Sequence, residues 1–181
     1  MSEGGLWSEA GRRLRTNRAA VVAGGVLVLL VLASLLAPLA SRHAIDQVDW
    51  TLSPLASPPS LANGHWFGTD SNGRDMFVRV WSGTQVSLLV AVLATLVSLA
   101  IGVAWGATAG YLGGRVDDWM MRFVDVLYAL PYMFFVIILT VVFGRSLWLI
   151  VLAIGAVGWL TMARIVRGQA RALRQREFVA A

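Results

Sequence analysis

The sequence contains neither cysteine nor lysine; all fifteen of its basic residues are arginine. Without thiols there are no disulfides, no thiolate metal sites and no sulfur nucleophile, and cysteine usage says nothing about redox compartment. Without lysine there is no G-x-x-x-x-G-K-[ST] phosphate loop, so any ATP hydrolysis associated with this chain belongs to another subunit. Charge is scarce too: 14% of the 181 residues are charged against 57% hydrophobic, with a mean hydropathy of +0.70. A water-soluble domain of this size could not gather so much apolar surface into one core, and lipid must solvate much of it. H-E-x-x-H and G-x-S-x-G are both missing, and the two histidines, His43 and His65, fall in one loop. A metalloprotease helix and a hydrolase nucleophile turn are thereby excluded. His65, beside Trp66 and Asp70, reads as a loop residue rather than a catalyst. The formal charge of +5 is carried by guanidinium groups that do not titrate near neutrality; it points to lipid headgroups and not to nucleic acid.

Four apolar stretches remain, Ala19 to Ala40, Thr84 to Ala107, Trp119 to Phe143 and Leu147 to Ile165, each near the roughly 20 residues a bilayer core requires. They predict an all-α fold, a polytopic transmembrane helical bundle with four crossings. The first stretch follows Arg12, Arg13, Arg15 and Arg18 as the apolar region of a signal peptide would, but it is longer than such regions, and Pro38 and Leu39 spoil a cleavage site. A retained helix is the better reading. The third and fourth stretches, separated by Gly144, Arg145 and Ser146, predict a tight helical hairpin with Arg145 at its turn.

Arginine bias places residues 1–18 and 166–181 on the cytoplasmic side, the latter segment following Arg164 and carrying Arg167, Arg171, Arg174 and Arg176. Residues 41–83 then form an outer loop, and a short loop, Gly110 to Asp118, returns to the cytoplasm. The outer loop divides into an extended part rich in proline and serine and a turn cluster, Asn63 to Gly73, leading to Met76, Phe77, Val78, Val80 and Trp81. That last group predicts a short interfacial helix with Arg74 and Arg79 at the headgroups. Residues 84–165 hold the remaining three helices.

Four local patterns bear on function. Gly102, Gly106 and Gly110 recur every four residues on one helical face and make a packing seam where another backbone can approach closely. Asp125 lies in an apolar segment; such a carboxylate is a candidate pathway residue, although a pair with Arg122 three residues earlier satisfies it structurally, and the structural reading is favoured. Pro131 removes one helical hydrogen bond and invites a kink, a feature also ordinary in membrane helices. Arg164, Arg167, Arg171 and Arg174 share one side of a helix if it continues past the membrane. Anchoring to anionic lipid suffices to explain that ridge.

Blocks in order along the chain resemble the oligopeptide and dipeptide permeases of bacterial ABC importers, those of the OppC/DppC kind. They are Asn17-Arg18-Ala19-Ala20-Val21-Val22; the outer-loop string His65-Trp66-Phe67-Gly68-Thr69-Asp70-Ser71-Asn72-Gly73-Arg74-Asp75; Tyr111-Leu112-Gly113-Gly114-Arg115-Val116-Asp117; and Met162-Ala163-Arg164-Ile165-Val166-Arg167-Gly168-Gln169. On its own physics the outer-loop string shows turns at Gly68 and Gly73 and a helix cap at Asp70 or Asp75.

The resemblance implies a six-helix permease of the bacterial inner membrane with a cytoplasmic N-terminus. It also implies a second permease subunit as heterodimer partner, two cytoplasmic ATPase subunits that bind the ATP, an extracytoplasmic peptide-binding protein, and no cofactor on this chain. In that family the loop after the fourth helix carries a coupling helix, the EAA motif. Its counterpart here involves Arg171 and Arg174 and then Glu177, Phe178, Val179, Ala180 and Ala181, with Ala180 where a glutamate often stands. Against the six-helix pattern these residues read as a C-terminally truncated product, a fragment or half of a split subunit. The rival reading is a small membrane scaffold, for which the glycine seam and basic ridge suffice. A signal-anchored enzyme fits poorly, since the outer loop is short and poor in paired nucleophile and base.

Overall fold

The computed structural model describes residues 6–53, 55–144 and 146–175, and the chain divides into two compact units, residues 1–88 and 89–181. It is all-α: among the described residues the β pairing consists of two isolated bridges. Among the described residues three helices are long and apolar enough to cross a membrane, or four spans if one bent pair is a single crossing.

In the first unit, α1 (Leu6–Thr16) gives way to α2 (Arg18–Ala40) at Asn17, whose extended backbone and side-chain oxygen, accepting from the Ala20 N–H at 3.2 Å, start the second helix afresh. The apolar side chains of α2 are largely exposed, as lipid contact requires. Pro38 lies inside α2 and cannot donate to the carbonyl four residues earlier, that of Ser34. The side-chain amide of Gln85 takes that carbonyl instead. Ser34 itself is buried and its hydroxyl donates to Val31 at 2.8 Å. The helix therefore keeps its acceptors satisfied and runs on to Ala40.

The loop that follows is held by carboxylates. Asp75 caps the next helix through Val78 N–H at 3.0 Å, while its other oxygen meets His65 Nδ1 at 3.0 Å, both residues being buried. Asp70 is not the cap: it accepts from the N–H groups of Asn72 and Arg74 at 2.9 Å and from Arg79 at 2.7 Å. Gly68 (φ 76°) and Gly73 (φ 74°) adopt left-handed backbone where a Cβ would strike the chain at Ser57 and Pro58 or at Asp49. The expected short interfacial helix is not separate. Met76 begins α3, 37 residues running to Leu112. No proline interrupts it, and the hydroxyls of Thr84, Thr95 and Thr108 are satisfied by its own carbonyls, so the helix runs unbroken.

The second unit holds the later part of α3 with α4 (Gly114–Ala129), α5 (Tyr132–Phe143) and α6 (Leu147–Arg174), α3 packing against α4 and α6. The cytoplasmic loop expected over residues 110–118 shrinks to Gly113, since α3 and α4 almost abut there. The single helix expected from Trp119 to Phe143 is two. Pro131 forces Leu130 into extended backbone, α4 ends, and α5 departs at 75°. Twelve residues rise about 18 Å, so α5 alone cannot cross and needs α4 to complete a span. The hairpin partner α6 packs against α5; Arg145 lies outside the described residues. The core of this unit is Ala109, Met121, Val124, Trp159, Leu160 and Ala163, with Trp105, Met120 and Leu127 packed on it. Trp105 stands edge-on to Trp159 at 5.4 Å and donates to the Met120 carbonyl at 3.3 Å.

Candidate functional site

The glycine seam brings α3 against α6. A Cβ on Gly102 would lie 2.6 Å from Met162 Cβ; on Gly106 it would collide with the Ala163 carbonyl oxygen; on Gly110 it would lie 2.6 Å from the Arg167 carbonyl oxygen. The backbones therefore touch at every fourth residue, the close approach that small residues permit in membranes. Farther along, Ser98 donates to the Gly155 carbonyl at 3.2 Å, extending the contact.

Because the seam pulls α6 close, its arginines reach the rest of the unit instead of standing free. Asp117, in the first turn of α4 and fully buried, receives Arg167 through Nε at 2.5 Å and Nη2 at 2.8 Å, while Arg171 binds one of the same oxygens. One turn deeper on α6, Arg164 pairs with Asp125 at 2.7 Å, and its guanidinium lies 4.3 Å above the Tyr128 ring. Arg174 donates to the Leu112 carbonyl at 3.3 Å, which α3 leaves free at its end. The ends of α3, α4 and α6 are thus tied by one set of charge-assisted bonds.

This arrangement changes two expectations. Asp125 pairs across the helix interface with Arg164 and not with Arg122 along its own helix, because the seam delivers a guanidinium that can both bond the carboxylate and stack on Tyr128. The basic ridge is only partly available to lipid or a partner: Arg167 is half-buried, whereas Arg171 and Arg174 keep an exposed flank. Residues Glu177 to Ala181 lie outside the described residues. Asp117 was not singled out by sequence, where it sat at the end of a loop string. Its signal is the eight-residue interval to Asp125, which sets the two acids about 80° apart around α4, within one broad face.

Beside the bend at Pro131 is a cavity of about 600 Å³, mostly apolar, between the α4–α5 junction and residues 156–161 of α6. Tyr128 and Tyr132 line it, and the Tyr128 hydroxyl bonds that of Thr161 at 3.0 Å.

In the outer loop, His65 is a structural pin. Its Nδ1 holds Asp75, its ring stacks on His43 with centroids 4.1 Å apart, and Asp49 stands 3.6 Å from Nε2. Among the described residues no group of three or more His, Cys, Asp or Glu is placed to hold a metal. The N–H of Arg74, with help from Asn72 N–H and the Arg79 and Arg74 guanidiniums, holds the Asp70 carboxyl below the usual range. The hydroxyl and N–H of Thr51 do the same for Asp49.

Residues 5–59 match the family described as the N-terminal TM domain of oligopeptide transport permease C, and residues 102–181 match the binding-protein-dependent transport system inner membrane component. The oligopeptide transport system permease protein OppC of Escherichia coli K12 is 50% identical over 97% of this chain, which covers 58% of that protein. OppC of Bacillus subtilis is 44% identical over 97% of the chain and 56% of its own length. The dipeptide transport system permease protein DppC of Bacillus subtilis is 44% identical over 96% of the chain and 53% of its own. The chain thus spans a little over half the length of these relatives. With apolar helices in the number that a multi-pass inner-membrane protein requires, and with both ends of the described region matching transport components, the chain belongs to the OppC family of binding-protein-dependent transport permeases.

Proposed function

We propose that this chain supplies membrane-spanning helices of an ATP-driven importer of peptides, oligopeptides or dipeptides, forming part of one half of the translocation pathway. The observation that carries the reading is the 50% identity to an oligopeptide permease along 97% of the chain. The chain performs no covalent chemistry and takes no cofactor. ATP is bound by two separate cytoplasmic subunits, consistent with a sequence that has no lysine for a phosphate loop. A second permease subunit completes the pathway, and an extracytoplasmic binding protein delivers the peptide.

The N-terminal tail and the end of α6 both lie in the cytoplasm, where their arginines meet the positive-inside preference. Closure of the ATPase subunits displaces the segment beyond Arg174, α6 carries that displacement into the bundle, and the pathway changes which side it faces. Asp125 stays structural in this reading, its charge being satisfied by Arg164. The scaffold alternative has no observation that favours it.

The test is to express the protein from its own gene, purify it with candidate ATPase and permease subunits, and follow uptake of a labelled peptide in proteoliposomes. Co-purification with an ATPase and ATP-dependent uptake are expected. A protein that assembles with no ATPase would sink the proposal.

A further inference from the structure

Asp117 is a single carboxylate, fully buried, facing two arginines from the helix that leads toward the cytoplasmic segment. A fully buried charge is costly to desolvate unless it is paired and hydrogen-bonded on all sides. Here both oxygens are used: one takes Arg167 Nε, the other takes Arg167 Nη2 and Arg171. Arg167 and Arg171 are one turn apart on α6, so the carboxylate grips that helix over a full turn and not at a point. Higher on the same pair of helices, Arg164 and Asp125 repeat the contact with the same polarity, acid on α4 and base on α6. Two rungs fix both the distance and the rotation of α6 on α4. Beyond the upper rung, α4 ends at Leu130 and the chain turns by 75° into α5.

We propose that Asp117 is a positioning residue for coupling: it locks the cytoplasmic end of α6 to α4, so that a displacement arriving at the end of α6 moves α4 and the Leu130–Pro131 bend with it. This rests on the transport reading above, in which α6 receives that displacement. Lipid anchoring does not account for the geometry, because a ridge built for headgroups has no use for a buried carboxylate under its centre. Packing alone does not account for it either. The glycine seam already joins α6 to α3, and its contacts at Gly102, Gly106 and Gly110 are made by backbone and apolar groups, not by Asp117.

The test compares wild type with Asp117→Asn, which keeps the shape and removes the charge, and with Asp117→Glu, which restores the charge. Three readouts are taken: assembly with the ATPase subunits, ATP hydrolysed per peptide transported, and amide hydrogen exchange along residues 164–174 of the permease without its partners. Asp117→Asn is expected to assemble as wild type does. It should spend at least about tenfold more ATP per peptide and exchange faster over residues 164–174, with Asp117→Glu recovering most of both. Peptide transport by Asp117→Asn at wild-type ATP cost would overturn the proposal. So would a parallel loss of assembly, hydrolysis and transport that Asp117→Glu does not relieve, the mark of a purely structural residue. A wild-type protein that binds no ATPase removes the transport reading and the coupling role with it. The exchange measurement, made without partners, tells that failure from failure of the clamp itself.

Discussion

At the scale of single residues, the chain solves a recurring problem of lipid-embedded backbone: each polar group that loses its helical partner must find another. Pro38 strips the Ser34 carbonyl of its N–H, and Gln85 supplies the replacement. Gln85→Ala should therefore destabilise the protein by about 1 kcal/mol, the ordinary worth of such a bond. Adding Pro38→Ala should abolish that effect, since the helix then satisfies Ser34 itself. Thermal unfolding of the two single variants and the double variant in detergent measures this, and equal cost of Gln85→Ala in both backgrounds would refute the pairing. The outer loop depends on carboxylates in the opposite sense, as charges kept charged. Asp70 and Asp49 are both depressed below the ordinary 3.8. Their stabilisation is thus complete above that value and lost as pH falls through the lower folded values. As far as these two carboxylates are concerned, protease resistance of residues 41–75 is expected to drop as pH falls below the ordinary carboxylate range. Asp70→Asn should blunt that drop.

At the scale of helices, the glycine seam tests how closely two backbones must meet. Gly106→Leu places a side chain where the Ala163 carbonyl and Val166 already stand, and overpacking of this kind costs about 1–3 kcal/mol. Gly24→Ala, inside α2 with open space around it, should cost nothing and stabilise by up to about 1 kcal/mol. Unfolding midpoints of the two variants decide the matter; similar midpoints would mean that α3 and α6 do not touch through the seam. The seam was legible because spacing along one helix fixes a face, and glycine at every fourth position has few other uses in a membrane. What the face meets is a different kind of information. The roles of Asp117 and Gln85 are not legible in the sequence because their partners lie 50 and 51 residues away, and nothing in local periodicity encodes a distant guanidinium or a carbonyl orphaned by proline. The same limit explains Asp125, whose nearest arginine in sequence was not its partner in space. Pro131 was visible as a perturbation, but the difference between a kink and a 75° break rests on how α5 packs on α6.

At the scale of the whole molecule, that break decides the topology. If α4 and α5 together form one crossing, α2, α3, the broken pair and α6 make four, and the two ends of the described chain lie on the same side. If the broken pair enters and leaves by one face, three crossings remain and the ends lie on opposite sides. Arginine bias favours four, because only an even number lets the N-terminal arginines and the α6 ridge both remain in the cytoplasm. The absence of cysteine makes the measurement direct. Single substitutions Glu9→Cys, Leu61→Cys and Gln175→Cys, all at exposed positions, can each be probed with a thiol reagent that does not cross membranes. In cells with an intact inner membrane, Leu61→Cys should label, while Glu9→Cys and Gln175→Cys should label only after the membrane is opened. Labelling of Gln175→Cys from outside would make the α4–α5 pair a re-entrant loop. The charge clamp between α4 and α6 would then sit at the outer face, out of reach of any cytoplasmic motor.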